Sequence, residues 1–424
     1  MRPVYVVGIG MTPFGKHLDK SIKELTTESV RSALDDAGLV KEDLQAAWFA
    51  NSTWGFFTEQ NFVRGQVAFK GIGLQGIPII NVENACGGGA TALHSAWLGV
   101  ASGLHECALA VGTEKLWHED KTKSFRALLG GSDLEELDEF LDRWKEVGAP
   151  PVPGMPPEVA AAEAAAEGNG SPIFTMDLYA HMTRGHMKQF GTTQRQVAKI
   201  ASKNHYHGSL NPLAMYRKEM TVDEILAGRA MTWPVTVPMC APISDGSAAA
   251  IVCSGEFLKR AGRARPVKIL ASVVGSHTPR PFSAWQEDAV RTVSRKAYDL
   301  AGVGPEDMDL AEVHDASAFG ELRVSEGLGF CEPGGGGPLA ESGATTLGGR
   351  IPINVSGGLA SRGHPLGATG VAQIYELVTQ LRGEAGRRQV EGARLGIAEN
   401  GGGFVYFEEA SMHVHILEKV PQYV

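Results

Sequence analysis

Nowhere does the chain run for about 20 consecutive apolar residues, the length a hydrophobic helix needs to cross a bilayer. Cysteine is sparse: five among 424 residues, at Cys86, Cys107, Cys240, Cys253 and Cys331, an odd number with no Cys-x-x-Cys pair. That pattern argues against a disulfide framework or a cysteine-built zinc site and points to a reducing, cytoplasmic setting. Basic charge is also short. Lys and Arg number 39 against 48 Asp and Glu, a net charge of −9, so no general nucleic-acid surface is expected. The opening "MRPVYVVGIGMTPFG" lacks the length and cleavage site of a signal peptide and reads as a first strand.

The chain is too long for one small core. "VYVVGIG" suits a strand buried on both faces, and a helix from Ser21 to Ala37 follows, stopped by Gly38. The layout then returns. "VKILASVVGS" is a strand and Asp288 to Leu300 a helix. "DDAGLVKEDLQAAWFAN" parallels "YDLAGVGPEDMDLAEVHD", and "INVENACGGGATALHSAWLGVASG" parallels "PINVSGGLASRGHPLGATGVAQIYELV". The offset, roughly 265 residues, is far beyond a solenoid repeat and reads as two copies of one α/β domain. The expected division is residues 1–115 with 242–262, an insertion at 116–241, and residues 263–424.

Within the insertion, "GSDLEELDEFLDRWKEVG" is expected to be an exposed amphipathic helix. "APPVPGMPPEVAAAEAAAEGNG" carries Glu158, Glu163 and Glu167 but no basic residue. It is either a linker or part of a lid. "MDLYAHMTRGHMKQFGTTQRQVAKIASKNHYH" is too regular for a linker and suits a lid over a pocket. Trp117, Phe174, Met176 and Tyr179 are candidates for that pocket's wall, or else ordinary core.

Cys86 lies in "NVENACGGGATAL". Ala90, Leu93, Trp97, Val100, Ala101 and Leu104 recur at helical spacing, which places Cys86 at or just before a helix N-terminus. The helix dipole and free N–H groups there favour a thiolate, lowering the thiol from its usual pKa of about 8.5. The three glycines would let another molecule reach it. The plainer alternative is a buried structural cysteine. His364, in "NVSGGLASRGHPLGATG", occupies the second half's counterpart of that loop. A pseudo-twofold axis can bring equivalent loops face to face, giving a thiol–imidazole pair for nucleophilic catalysis.

These stretches resemble thiolases. "NVSGGLASRGHPLGATG" is similar to their signature Asn-x-x-Gly-Gly-x-x-x-x-Gly-His-Pro-x-Gly-x-[Ser/Thr/Ala]-Gly, and "NACGGGATAL" to their nucleophile region. "EVHDASAFGELRVSEGLGFCEPG" resembles the His-Asp-Cys-Phe region of sterol-carrier-protein-type thiolases. "KNHYHGSLNPLAMYRKEMTVDEI" and "CAPISDGSAAAIV" resemble that subgroup's loop domain and the last strand of its first half. The resemblance spans essentially the whole chain. It implies an α/β thiolase fold of duplicated α-β-α-β-α layered domains, with a loop domain over a coenzyme A channel. Coenzyme A would enter as substrate or cosubstrate, with no covalently bound cofactor and no metal. Cys86 would carry the acyl group. His364 would activate it and help hold the thioester oxyanion, and His314 would assist at the second oxyanion or the proton-transfer step. The backbone of Cys86 and Gly402 would line an oxyanion hole. A homodimer paired through the first domain is implied as well.

Two departures follow from the same resemblance. Ala316 stands where the sterol-carrier type has its second cysteine, and Asn400 where other thiolases have the cysteine of Cys-x-Gly. Asn400 can donate to an oxyanion but cannot act as a base; neighbouring Glu399 can titrate. By elimination, His314 or His364 carries the second proton transfer. Single-cysteine thiolase-like proteins, such as the benzoylsuccinyl-CoA thiolase type and bacterial acylphloroglucinol acyltransferases, imply a small OB-fold, zinc-ribbon partner. An acyl-CoA C-acyltransferase, cleaving or forming a carbon–carbon bond of a 3-oxoacyl-CoA through an acyl-cysteine intermediate, is the leading reading, with thiolysis of an aromatic 3-oxoacyl-CoA such as benzoylsuccinyl-CoA as a candidate form of it. A retro-aldolase acting on a coenzyme A thioester is one alternative, against which Cys86 counts. A non-catalytic lipid- or acyl-CoA-binding subunit is the other. The acidic Pro/Ala-rich segment would avoid the coenzyme A phosphates and lie near the acyl end, on the outer surface or at a partner.

Overall fold

The computed structural model describes residues 1–165, 174–261 and 265–421. Nine strands form one sheet: β1 (Val4–Met11), β2 (Ala46–Ala50), β3 (Ile79–Val82), β4 (Cys107–Lys115), β5 (Asp245–Ser254), β6 (Val267–Ser276), β7 (Leu310–Glu312), β8 (Leu395–Gly402) and β9 (Ser411–Lys419). Their order is β3-β2-β4-β5-β1-β6-β9-β8-β7. Outward from β1 the strands run β5, β4, β2, β3, with two antiparallel and then two parallel pairings. Outward from β6 they run β9, β8, β7 and then Ile353, bridged in parallel to Ala311, with the same senses. The two halves therefore share one topology. They meet where Val4, Tyr5 and Val6 pair antiparallel with Ile269, Lys268 and Val267.

The two halves of the sheet lie on opposite sides of the central helices, and outer helices cover each, giving five layers. In α1 (Ile22–Ala37), Ser21 and Glu24 form a capping box and Gly38 closes the helix in the left-handed conformation. It lies against β1 so closely that a Cβ on Gly10 would meet the Ser29 carbonyl at 2.1 Å, and its apolar face fills one outer cluster. α2 (Gly88–Ala101) follows the Cys86 turn. From the insertion come α3 (Leu137–Gly148), α4 (Phe174–Phe190) and α5 (Gln194–Ser209). The second half supplies α6 (Ala289–Ala301), capped by Asp288, then α7 (Ala318–Gly327) and α8 (Leu366–Arg382). α2 and α8 pack together in the central cluster, and α6 covers the opposite outer face. The sequence therefore delivers the expected α-β-α-β-α order.

The insertion packs against the second half rather than standing apart. Phe140 and Trp144 of α3, Leu178 and Tyr179 of α4 and Val197 of α5 share one buried cluster with Phe319 and Leu322 of α7. The charged stretch expected to form an exposed helix thus has a firmly buried inner face. Of the Pro/Ala-rich segment, Pro157–Ala165 is helical. Residues 166–170, and with them Glu167, lie outside the described residues, as does the boundary at 262–263. Among the described residues no helix is long and apolar enough to cross a membrane.

Candidate active site

Glycine sets the closeness of the two central helices. A Cβ on Gly89 would meet the Gly367 carbonyl at 2.6 Å, and one on Gly370 would meet the Ala90 nitrogen at 2.3 Å. The three glycines after Cys86 are therefore filled by the protein's own chain: Gly87 abuts His413, Gly88 abuts Ala50 and Gly89 abuts Gly367. This corrects the expectation that they clear a path for a ligand. Their small size lets α2 and α8 cross at backbone contact, and that crossing brings the loops ahead of both helices together.

Cys86 sits in a short 3₁₀ turn, Ala85–Gly87, just ahead of α2. Ala85 has φ +48°, a left-handed conformation that side chains other than glycine resist. It is held by its neighbours: Ala85 N–H donates to Glu83 Oε1 at 2.6 Å, and Ser52 Oγ donates to the Ala85 carbonyl at 3.1 Å. Across the axis stand His364 and His314. The Cys86 sulfur and one nitrogen of each imidazole lie within 4.8 Å of one another. All three residues line a cavity of about 330 Å³. They are also the one set among the described residues able to ligate a metal ion. A metal there would occupy the sulfur lone pair, so it would compete with any chemistry at the thiol.

Hydrogen bonding favours one His364 tautomer. Thr369 Oγ1 donates to the Pro365 carbonyl at 3.1 Å and lies 2.7 Å from His364 Nδ1. With its one proton committed, the hydroxyl accepts from Nδ1–H. Nε2 is left bare and without a partner, facing the role of a base. Both His314 nitrogens are likewise unpartnered. The His314 loop is pinned from behind: its N–H donates to Glu399 Oε2 at 2.9 Å. The adjacent Asp315 carboxylate takes the Leu359 N–H at 2.7 Å and Asn204 Nδ2 at 2.9 Å. Asp315 thereby ties the His314 loop to the short helix Gly358–Arg362 that leads to His364.

Electrostatics differ from the simple helix-end picture. Burial pushes the Cys86 thiol up to about 12, and the Glu83 and Glu114 carboxylates push the same way. The shift runs opposite to the expected lowering: burial, Glu83, Glu114 and Glu409 raise the thiol, and a backbone hydrogen bond at Cys86 lowers it only in part. His314 is pushed down to about 3 by burial and by Arg323. Burial, His314 and Arg362 drive His364 well below its ordinary value. These shifts favour a neutral thiol facing two neutral imidazoles at rest.

The other expected residues fall as follows. A Cβ on Gly402 would meet the Asn84 carbonyl at 2.1 Å and the Gly87 nitrogen at 2.5 Å, so its backbone abuts the Cys86 turn. Asn400 is buried with both amide atoms unpartnered, its oxygen directed at Gly370, and it is not among the cavity-lining residues. Ala316, Met176 and Tyr179 line the cavity; Trp117 does not, and carries Lys16 and Lys121 over its ring instead. The Phe174 side chain lies outside the described residues. Glu399 Oε1 has no partner, and burial holds this carboxyl well above the usual range.

Sequence reading missed Glu114. Buried at the end of β4, it accepts from Asn51 Nδ2, the Ser52 and Thr53 N–H groups, the Thr53 hydroxyl and the Gly367 N–H. It thus ties the loop after β2 to the start of α8. A lone glutamate in the apolar strand "CALAVGTEK" was the available signal. Thr369 and Asp315 were also missed as positioning groups.

Comparison with known proteins matches residues 4–226 to "Thiolase, N-terminal domain" and residues 277–419 to "Thiolase C-terminal domain-like". An acetyl-CoA acetyltransferase of Methanothermobacter thermautotrophicus is 38% identical over 95% of this chain and 97% of its own. Sterol carrier protein 2 of Gallus gallus is 36% identical over 94% of this chain and 69% of its own. Benzoylsuccinyl-CoA thiolase subunit BbsB of Thauera aromatica is 32% identical over 92% of each. The solved structure of an Ltp2–ChsH2(DUF35) aldolase superposes with TM-score 0.74 at 21% identity, over 99% of this chain and 98% of that one.

Proposed function

Since the chain belongs to the thiolase family and is an acyltransferase of it, we propose that Cys86 takes up an acyl group from a 3-oxoacyl-CoA and passes it to coenzyme A. The observation that carries this reading is the Cys86–His314–His364 cluster, its atoms within 4.8 Å, at the cavity wall. His364 Nε2 takes the thiol proton as the sulfur attacks the 3-keto carbon. The backbone N–H groups at Cys86 and Gly402 receive the oxyanion. Collapse breaks the C2–C3 bond and leaves an enolate of the departing acyl-CoA, whose oxygen His314 holds. The proton on His364 returns to C2, so no second cysteine is needed at Ala316. Coenzyme A thiol then attacks the acyl-cysteine and releases the shortened or aromatic acyl-CoA. Asn400 holds the place of the missing Cys-x-Gly cysteine, where an amide can donate a hydrogen bond but not move a proton.

An aromatic 3-oxoacyl substrate is supported by the benzoylsuccinyl-CoA thiolase relative and by the mostly apolar wall, with Met176, Phe404 and Leu128. A partner subunit is supported by that relative's being named a subunit and by the two components, Ltp2 and ChsH2(DUF35), of the similar aldolase. We take the partner to be a small OB-fold, zinc-ribbon protein. A homodimer is proposed through the edge strand β3. The threefold division of the chain at 115, 241 and 262, and a reducing cytoplasm that keeps all five cysteines free, belong to the same reading.

Intact-mass spectrometry after incubation with acetyl-CoA and with aromatic acyl-CoA thioesters tests it. An acyl mass that maps to Cys86 and disappears in Cys86→Ala is expected. Carbon–carbon cleavage that survives in Cys86→Ala would establish the aldolase chemistry instead, and binding without any turnover would leave a carrier subunit.

A further inference from the structure

Tyr179 is 1% exposed, yet its hydroxyl has no hydrogen-bond partner. Buried phenols normally find one. The side chain comes from α4 and lines the same cavity as Cys86, His314 and Ala316. Its ring is fixed from two sides. It packs edge-on against Phe404, with centroids 5.5 Å apart, and a Cβ on Gly320 would touch it at 3.7 Å. The hydroxyl therefore cannot swing away to another acceptor without breaking that packing. The same cavity is also lined by apolar side chains, among them Met176, Leu128 and Ala241.

We propose that Tyr179 determines acyl-group specificity: its O–H donates a hydrogen bond to a neutral oxygen, keto or hydroxyl, borne on the acyl group bound beside Cys86. This rests on the reading that acyl-CoA thioesters fill the cavity. The donor role follows from the surroundings. Burial, then Glu409, Cys86 and Glu399 acting against Arg323, hold the phenol well above its ordinary pKa, so it stays protonated and is no base. The preferred class is therefore an acyl-CoA, aromatic or aliphatic, whose acyl group carries a further keto or hydroxyl oxygen, rather than one whose acyl group is plain hydrocarbon.

The test reads binding without turnover. In Cys86→Ala protein, calorimetry compares pentanoyl-CoA with 4-oxopentanoyl-CoA and hexanoyl-CoA with 5-oxohexanoyl-CoA, two depths of the oxygen. The oxo member is expected to bind about tenfold more tightly at one depth or both. Adding Tyr179→Phe, which keeps the ring and removes one oxygen, is expected to bring that ratio to within about twofold of unity. Equal affinities at both depths in Cys86→Ala alone would overturn the proposal, with no change at Tyr179 required. So would a preference that persists in Tyr179→Phe. Failure of the acyl-transfer reading would show separately, as the absence of an acyl mass on wild-type Cys86.

Discussion

The two halves of the sheet repeat one strand order, and they differ at their edges and in the charge around their loops. In the second half the edge at Ile353 is closed by the protein's own insertion: Lys203 Nζ donates to the Ile353 carbonyl at 2.6 Å and His207 Nδ1 to the Asn354 carbonyl at 3.0 Å. In the first half the edge strand β3 is covered only in part: Gln66 Nε2 donates to the Ile79 carbonyl at 2.9 Å, and Ile80 stays 42% exposed. A partly open edge carrying an apolar side chain invites pairing with another strand. The loops diverge in the same way. The first half sets a thiol among the carboxylates Glu83 and Glu114. The second sets two imidazoles among the guanidiniums Arg323 and Arg362. Each neighbourhood disfavours the charge its reactive group would acquire alone. The shared frame brings the loops face to face, and their surroundings favour a neutral thiol opposite neutral imidazoles, between which the proposed mechanism moves a proton.

The largest break in that comparison is removal of the second half's base. His364→Ala is expected to slow Cys86 acylation at neutral pH by about a thousandfold, measured by rapid-quench mass spectrometry. His314→Ala should leave acylation measurable and slow the carbon–carbon step by about a hundredfold. Equal failure of both variants at acylation would remove the division of labour between the two imidazoles.

A smaller effect is expected at Thr369. Thr369→Val leaves Nδ1–H unpaired and frees the wrong tautomer, which should lower acylation by about tenfold. Thr369→Ser should restore it, with the coenzyme A KM unchanged. The mildest change is at the partly open edge. Ile80→Glu should raise the dimer dissociation constant by about tenfold, read by light scattering, while the folded protomer keeps its melting temperature. A wild-type monomer in that experiment would contradict pairing through β3.

The layered fold was legible because it rests on local pattern: apolar strand runs, helical spacing from Ile22 to Leu34, and the Gly38 stop. Cys86 and His364 could be found because glycine and proline mark their loops, and His314 because its His-Asp stretch resembles the family's. The thiol's protonation state could not. The helix end is visible in sequence, whereas Glu114 arrives from 28 positions further along the chain and burial comes from every layer. The glycines after Cys86 were misread for the same reason, since the helix that fills their space, α8, begins at Leu366. Tyr179 was visible only as one aromatic among several, because an unpartnered hydroxyl is a property of packing.

The most direct test of the neutral-pair account is the ultraviolet thiolate absorbance of wild type minus that of Cys86→Ala, followed across pH. A thiol held up at about 12 stays protonated below that value. The difference should remain near zero through neutral pH and only begin to rise at strongly alkaline pH. A full thiolate signal already present at pH about 7, as a helix-end cysteine with a lowered pKa would give, would contradict it.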